Sequence, residues 1–207
     1  MRKNSMNFTK NMISLNIIML SCMLLSSCFG YSPKNTFDVV EIELKSTQNI
    51  SKYNFQLFIS EPVALKALDS ENIVVRYSPT EIQYLINSQW SDKLPRMVQS
   101  KLIASFENDG RLLAISKPSQ GMIADYQISS TIRSFEIDLL RNKAVIDISV
   151  KLIGFRNGIV KAQKIFHIEE QLEKDNKMYF IKSLNLGFAR ISSEIIKWTL
   201  LSLSTSE

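Results

Sequence analysis

The stretch Ala144-Val145-Ile146-Asp147-Ile148-Ser149-Val150-Lys151-Leu152 decides the fold. Ala144, Ile146, Ile148, Val150 and Leu152 fall on one parity, while Asp147, Ser149 and Lys151 fall on the other. Successive side chains of a strand point to opposite faces, so this segment is dry on one side and wet on the other. An antiparallel sheet suits that asymmetry, because one of its faces can look at water. Downstream, Asn157-Gly158 provides a hairpin turn into a further strand over 159–171. Upstream, Tyr126, Ile128 and Ile132 share a parity that Phe135, Ile137 and Leu139 do not. A bulge near Arg133-Ser134 would return all six to one buried face.

A sheet with one dry face needs a cover, and the last segment supplies it. Ile181, Leu184, Phe188, Ile191, Ile195, Trp198 and Leu201 recur in steps of three and four, the spacing of an amphipathic helix. Phe188 and Trp198 are large for the seam of a coiled coil, which favours docking on the sheet. A second helix begins near Ser91 or Asp92 as N-cap, with Pro95 in its first turn, Leu94, Val98, Leu102 and Phe106 on its apolar face, and Gly110 just past its end. Strands are expected over 37–44, 55–59 and 112–115. The run Ile73 to Tyr77 followed by Ile82, Tyr84 and Ile86 reads as a hairpin, although Ser78-Pro79-Thr80-Glu81 also satisfies a capping box for a helix starting at Pro79. Tyr84 and Trp90, at a junction of strand and helix, are candidates either for a recognition surface or for the core. The expected architecture is α+β, an antiparallel sheet with two main helices packed on one face.

The N-terminus carries a different kind of information. Arg2, Lys3 and Lys10 precede an apolar stretch over 12–25, too short for a comfortable membrane span, and Leu25-Ser26-Ser27-Cys28 closes it. This is the pattern of a lipoprotein signal peptide cut before Cys28. The new N-terminal thiol accepts diacylglycerol, and a triacylated cysteine, palmitate among its chains, holds the protein to a membrane through about 0.8 kcal/mol per buried methylene. Residues 1–27 are thus the signal peptide, 28–36 a lipidated tether containing Gly30, Ser32 and Pro33, and 37–207 a single α+β domain. Phe29, where aspartate would signal retention at the inner membrane, directs the protein to the outer membrane, facing the periplasm.

Composition narrows the chemistry. The formal charge of +5 falls to +2 when the three basic residues of the signal are removed, and no run of basic residues remains, so nucleic acid is rejected as a partner. Of the two cysteines, Cys22 leaves with the signal and Cys28 is lipidated, which leaves neither a disulfide nor a thiol metal site. The single histidine, His167, sits on a strand surface with Ile165 and Glu169, and Glu169-Glu170 point to opposite faces. No phosphate loop, nucleophile elbow or dinucleotide fingerprint is present. No catalytic, metal or cofactor site is expected, and the protein is read as no enzyme.

Several segments together resemble a family. Ile73-Val74-Val75-Arg76-Tyr77, Ile82-Gln83-Tyr84, Trp90 leading into Leu94-Pro95-Arg96-Met97-Val98, and Ala124-Asp125-Tyr126-Gln127-Ile128 with Phe135-Glu136 are similar to the PqiC-like auxiliary lipoproteins of ABC-type transport systems. The closing helix to Ile196-Lys197-Trp198 continues the likeness. The resemblance implies a hairpin over 73–86 and no catalytic residues. It also implies an accessory subunit of a phospholipid transport system, working with an MCE-domain protein that spans the envelope. Self-association into a homo-oligomer is left open. The alternative is an LptE-like lipoprotein that plugs or chaperones an outer-membrane barrel.

Serine has no thiolate to accept diacylglycerol, so Cys28→Ser should leave the precursor uncut and without lipid. Intact-mass spectrometry checks this; a processed, lipid-modified serine variant would remove the lipidation site.

Overall fold

The computed structural model describes residues 33–40, 53–118, 121 and 123–204. Cys28, the signal peptide and most of the tether lie outside the described residues, as does 41–44 of the first expected strand. From Lys34 onward the chain is one compact unit. Its elements in order are β1 (Asn35–Phe37), β2 (Tyr53–Ile59), β3 (Val63–Ala64), β4 (Val74–Arg76), β5 (Ile82–Tyr84), β6 (Ser88–Trp90), α1 (Leu94–Asp109), β7 (Leu112–Ser116), β8 (Tyr126–Asp138), β9 (Lys143–Gly154), β10 (Val160–Gln171) and α2 (Lys177–Ser204).

The long strand β8 is the spine. One edge pairs antiparallel with β9, which pairs antiparallel with β10. Along the other edge three short strands stand in file, all parallel to β8: β2 beside Tyr126–Ile128, β3 beside Thr131 and Ile132, and β4 beside Glu136–Asp138. β7 extends the sheet by running parallel to β2, and β5 folds back antiparallel on β4. The sheet is therefore mixed, and the expectation of a purely antiparallel one is corrected. Alternation assigns faces but not directions. Here β5, β6, α1 and β7 intervene between β4 and β8, and so long a crossover can lay strands side by side in parallel.

Other expectations meet the structure directly. The register between β8 and β9 slips from Ile132↔Ile148 to Ser134↔Asp147, which is the bulge at Arg133. It leaves Ile128, Ile132, Phe135 and Ile137 all buried. The hairpin over 73–86 forms; the Ser78 hydroxyl accepts the Glu81 N–H at 3.1 Å and closes its loop rather than starting a helix. Of the strand expected over 37–44, β1 ends at Phe37 and 38–40 carry none, while 41–44 lie outside the described residues. Asp38 Oδ1 accepts the Val39 N–H at 2.9 Å, withdrawing that donor, and β1 instead joins β6 in a separate parallel pair. The first helix is capped at Lys93, not Ser91 or Asp92, because Asp92 Oδ1 takes the Lys93 N–H at 2.7 Å. Gly110 ends it with φ 72°, the left-handed conformation that glycine adopts without a Cβ penalty, its N–H reaching the Phe106 carbonyl.

Both helices feed one core. In α1, Gln99 Nε2 donates to the Ile59 carbonyl at 2.8 Å and fixes the helix over β2. In α2, Phe180, Ile181, Leu184, Phe188, Ile191, Ile195 and Ile196 are buried with Ala144, Ile146, Ile148, Val150 and Leu152 of β9. Gly187 marks the closest approach, since a Cβ there would stand 3.2 Å from Ile146 Cδ1. The expected seam drifts at its end: Leu201 is 67% exposed, and Thr199, Leu200 and Leu203 take the inner face. A 3.6-residue turn cannot keep a strict seven-residue repeat facing one surface. Trp198 is left at the rim, edge-on to Phe166 with centroids 5.7 Å apart.

Removing the fully buried Phe188 ring by Phe188→Ala should cost about 3–5 kcal/mol, whereas Leu201→Ala should stay within about 0.5 kcal/mol. Denaturant titration of the two variants checks the helix orientation, and equal losses would contradict it.

Candidate functional site

The wet face of β8–β9–β10 is where titratable groups meet. Cross-strand register sets His167 opposite Asp147, and Lys143 opposite both Gln171 and Asp138. His167 is half exposed, its Nδ1 3.6 Å from Asp147 Oδ2 and its Nε2 3.4 Å from Glu169 Oε1. Glu169 also accepts from Lys143 and, at 2.8 Å, from Arg141. Arg141 reaches Asp138 at 2.8 Å, and Arg76 makes a bidentate pair with the buried Glu136 at 2.6 and 3.0 Å. Glu170, on the opposite parity, pairs instead with Arg190 of α2. The expected divergence of the two glutamates holds.

These contacts set the ionisation of the network. Burial alone would raise the Asp138 carboxyl, but the backbone and side-chain hydrogen bonds of Arg141 outweigh it and hold the group below its ordinary value. The hydrogen bond from Lys143 is the first cause that lowers Glu169, with His167 and Arg141 adding to it. Asp138 and Glu169 are engaged by cations and Asp147 lies 3.8 Å from Arg133, its Oδ1 without a hydrogen-bond partner among the described residues. Such an arrangement ties strands together. Asp147 as the neighbour of His167 was missed in the sequence, where only the 20-residue separation is visible. The β9–β10 register is the signal that would have found it.

Concave surfaces lie elsewhere among the described residues. Val40 and the first half of α2, through Met178, Ile181, Lys182, Asn185, Leu186 and Ala189, line an open, largely apolar groove of about 420 Å³. Asn185 Oδ1 accepts the Val40 N–H at 3.1 Å there, and Lys182 is paired with Glu173. At the far end of the sheet, Phe55, Asp125, Tyr126, Arg156, Asn157 and Lys161 surround a more polar hollow of about 330 Å³. Its floor is the edge-on pair Phe55–Tyr126, with Lys161 over the Tyr126 ring at 5.2 Å. Of the two aromatic candidates, Trp90 is core, 1% exposed, and Tyr84 is surface, 47% exposed. Cys28, the lipidation site read from the sequence, lies outside the described residues.

Known proteins share this architecture. Protein XCC0632 from Xanthomonas campestris superposes with a TM-score of 0.77 at 20% identity, covering 83% of this chain and 98% of that one. A second solved structure, of an uncharacterized protein, gives 0.66 at 18% identity, with 81% and 99% covered. These likenesses define the class as a two-helix α+β fold. The chain itself belongs to the family of the ABC-type transport auxiliary lipoprotein component, whose model matches residues 40–196. Among curated relatives, the uncharacterized protein bll6063 of Bradyrhizobium diazoefficiens is 30% identical over 172 residues, 79% of this chain; the chain spans 46% of that relative's length.

Acid should weaken the outer-face network in a defined window. Asp138 and Glu169 have lowered pKa values in the folded chain, so their contribution is fully present above the ordinary carboxylate range near pH ~4 and drains as pH falls through the lower folded values. Arg141→Ala should lower Tm at pH 7 and flatten its fall between about pH 5 and pH 2. A parallel, undiminished fall in the variant would show that Arg141 is not what holds these carboxylates ionised.

Proposed function

We propose that the protein is a non-enzymatic accessory subunit of an MCE/ABC-type phospholipid transport system. In this reading it is tethered by Cys28 to the inner leaflet of the outer membrane, facing the periplasm, and docks the end of an envelope-spanning conduit. The observation that carries the reading is the family match over 40–196, beginning twelve residues after Cys28. The division into signal 1–27, tether 28–36 and domain 37–207 is part of the same proposal, as is an MCE-domain protein as partner and self-association into a homo-oligomer. The pairing of Glu169 with Lys143 and Arg141, and of Asp138 with Arg141, supports a positional role, because these contacts tie strands together.

Chemical crosslinking of intact envelopes followed by purification through this protein tests the reading. An MCE-domain protein and its ABC components should be recovered; recovery of an outer-membrane barrel in their place would replace the reading with the LptE-like one. In the same cells His167→Ala should support envelope integrity at the wild-type level. A variant that is folded, abundant and anchored yet inactive would overturn the non-enzymatic assignment.

A further inference from the structure

The hairpin β4–β5 presents an apolar strand at an open edge. Among the described residues β5 pairs only with β4, and Ile82, Tyr84 and Ile86 along and beyond it are 39%, 47% and 80% exposed, with Tyr77 at the loop 47% exposed. Leu85 turns inward against the core, so the outward residues are held in place rather than loosely attached. An unprotected apolar edge of this kind invites pairing with other chains unless something covers it.

The position of this edge says what that is. Asn35 donates its N–H to the Asn87 carbonyl at 2.9 Å and stands in register with Ser88, so the incoming chain is fixed one residue from Ile86. Only seven peptide steps separate Asn35 from Cys28. At about 3.5 Å per residue they span at most roughly 25 Å, so an acylated Cys28 keeps the bilayer surface within that distance of Asn35. We infer that the β5 edge, through Ile82, Tyr84 and Ile86, rests in the interface of the lipid bilayer that holds the anchor. Tyrosine beside aliphatic side chains is the composition that settles at headgroup level. Arg76 is engaged by Glu136 and Arg141 by Asp138 and Glu169, and Lys34 is a single charge beside Asn35, so the contact rests on the apolar side chains more than on charge. It gives the domain one orientation on the membrane instead of free rotation about a tether. The inference rests on the lipid anchor proposed above.

The test uses the mature lipidated chain, in which an introduced cysteine is the one free thiol. Ile86 is 80% exposed and its replacement leaves the core untouched. Ile86→Cys and, separately, Tyr84→Cys are labelled with an environment-sensitive fluorophore and reconstituted into vesicles of phosphatidylethanolamine and phosphatidylglycerol. Ile159→Cys is the control, in the β9–β10 loop where its carbonyl accepts from Gly154 N–H; Gly154 pairs with Tyr126, ten residues and so roughly 30 Å along β8 from Glu136. Mass spectrometry and vesicle flotation first establish acylation and anchoring. The probes at positions 84 and 86 should then shift to the blue and be quenched by lipids spin-labelled near the headgroup, while the probe at 159 stays water-like. The result should be the same in phosphatidylcholine vesicles and at high salt. Unquenched probes in acylated, floating protein overturn the edge contact and leave the anchor standing. A requirement for anionic lipid overturns its apolar character, and protein without acyl chains overturns both contact and anchor.

Discussion

The dry face of β9 and the helix that closes it are the interaction on which the other elements depend. Ile146, Ile148, Val150 and Leu152 are each wholly buried, as are Leu184, Phe188, Ile191 and Ile195 of α2 opposite them. Neither surface is stable in water alone, because burying such side chains contributes roughly 1.5–3 kcal/mol each. Gly187 sets the spacing, since any larger residue there would push against Ile146. With helix and sheet at that distance, Phe135 can bridge them, lying 5.8 Å from Trp90 and 6.2 Å from Phe188. Trp90 ends β6, so the small β1–β6 pair and the incoming chain are registered against the same core.

β8 distributes this order to the rest of the molecule. Its bulge at Arg133 keeps Ile128 and Ile137 on one face although their parities differ, and it separates the stretches that receive β3 and β4. Three short strands along one edge would be marginal by themselves; beside a 13-residue strand fixed by β9 they need only add a few hydrogen bonds each. The outward side of the same strands then carries charge. Glu136, buried to 5% exposure, is tolerable there because Arg76 of β4 meets it with both oxygens engaged, which ties the hairpin to the spine.

Much of this was legible in the chain. Period-two runs placed β8, β9 and β10 and their buried parity, the change of parity at 133 announced the bulge, and steps of three and four announced both helices. Strand direction was not legible, because alternation is the same for parallel and antiparallel neighbours; only the connectivity through α1 makes β2, β3 and β4 parallel to β8. Caps were half legible. Gly110 behaved as its lack of a Cβ dictates, but Asp92 spent its carboxylate on the adjacent N–H and passed the cap to Lys93. The capping-box residues at Ser78 were a true hydrogen-bonding signal put to a different use, since a hydroxyl that can cap a helix can equally close a hairpin loop. Of the neighbours of His167, Glu169 was legible from alternation, whereas Asp147 was not, because it arises from register, which no local pattern encodes.

The same physics leaves the fold's unsatisfied apolar side chains on its exterior. The centre is filled by Trp90, Phe135, Phe166 and Phe188 with aliphatic residues from both helices and the sheet. What remains are exterior features of different chemistry: an ion-paired outer face, an apolar groove beside Val40 and α2, and the apolar β5 edge near the entering chain. Ion pairs on the outer face resist displacement because each partner would be left uncompensated, so that face suits rigidity more than exchange. The groove and the edge have no such internal partners for their apolar side chains, and removal of water from them is favourable without breaking anything. On a body held by its core and ion pairs, these are the surfaces whose burial would fix how the domain sits.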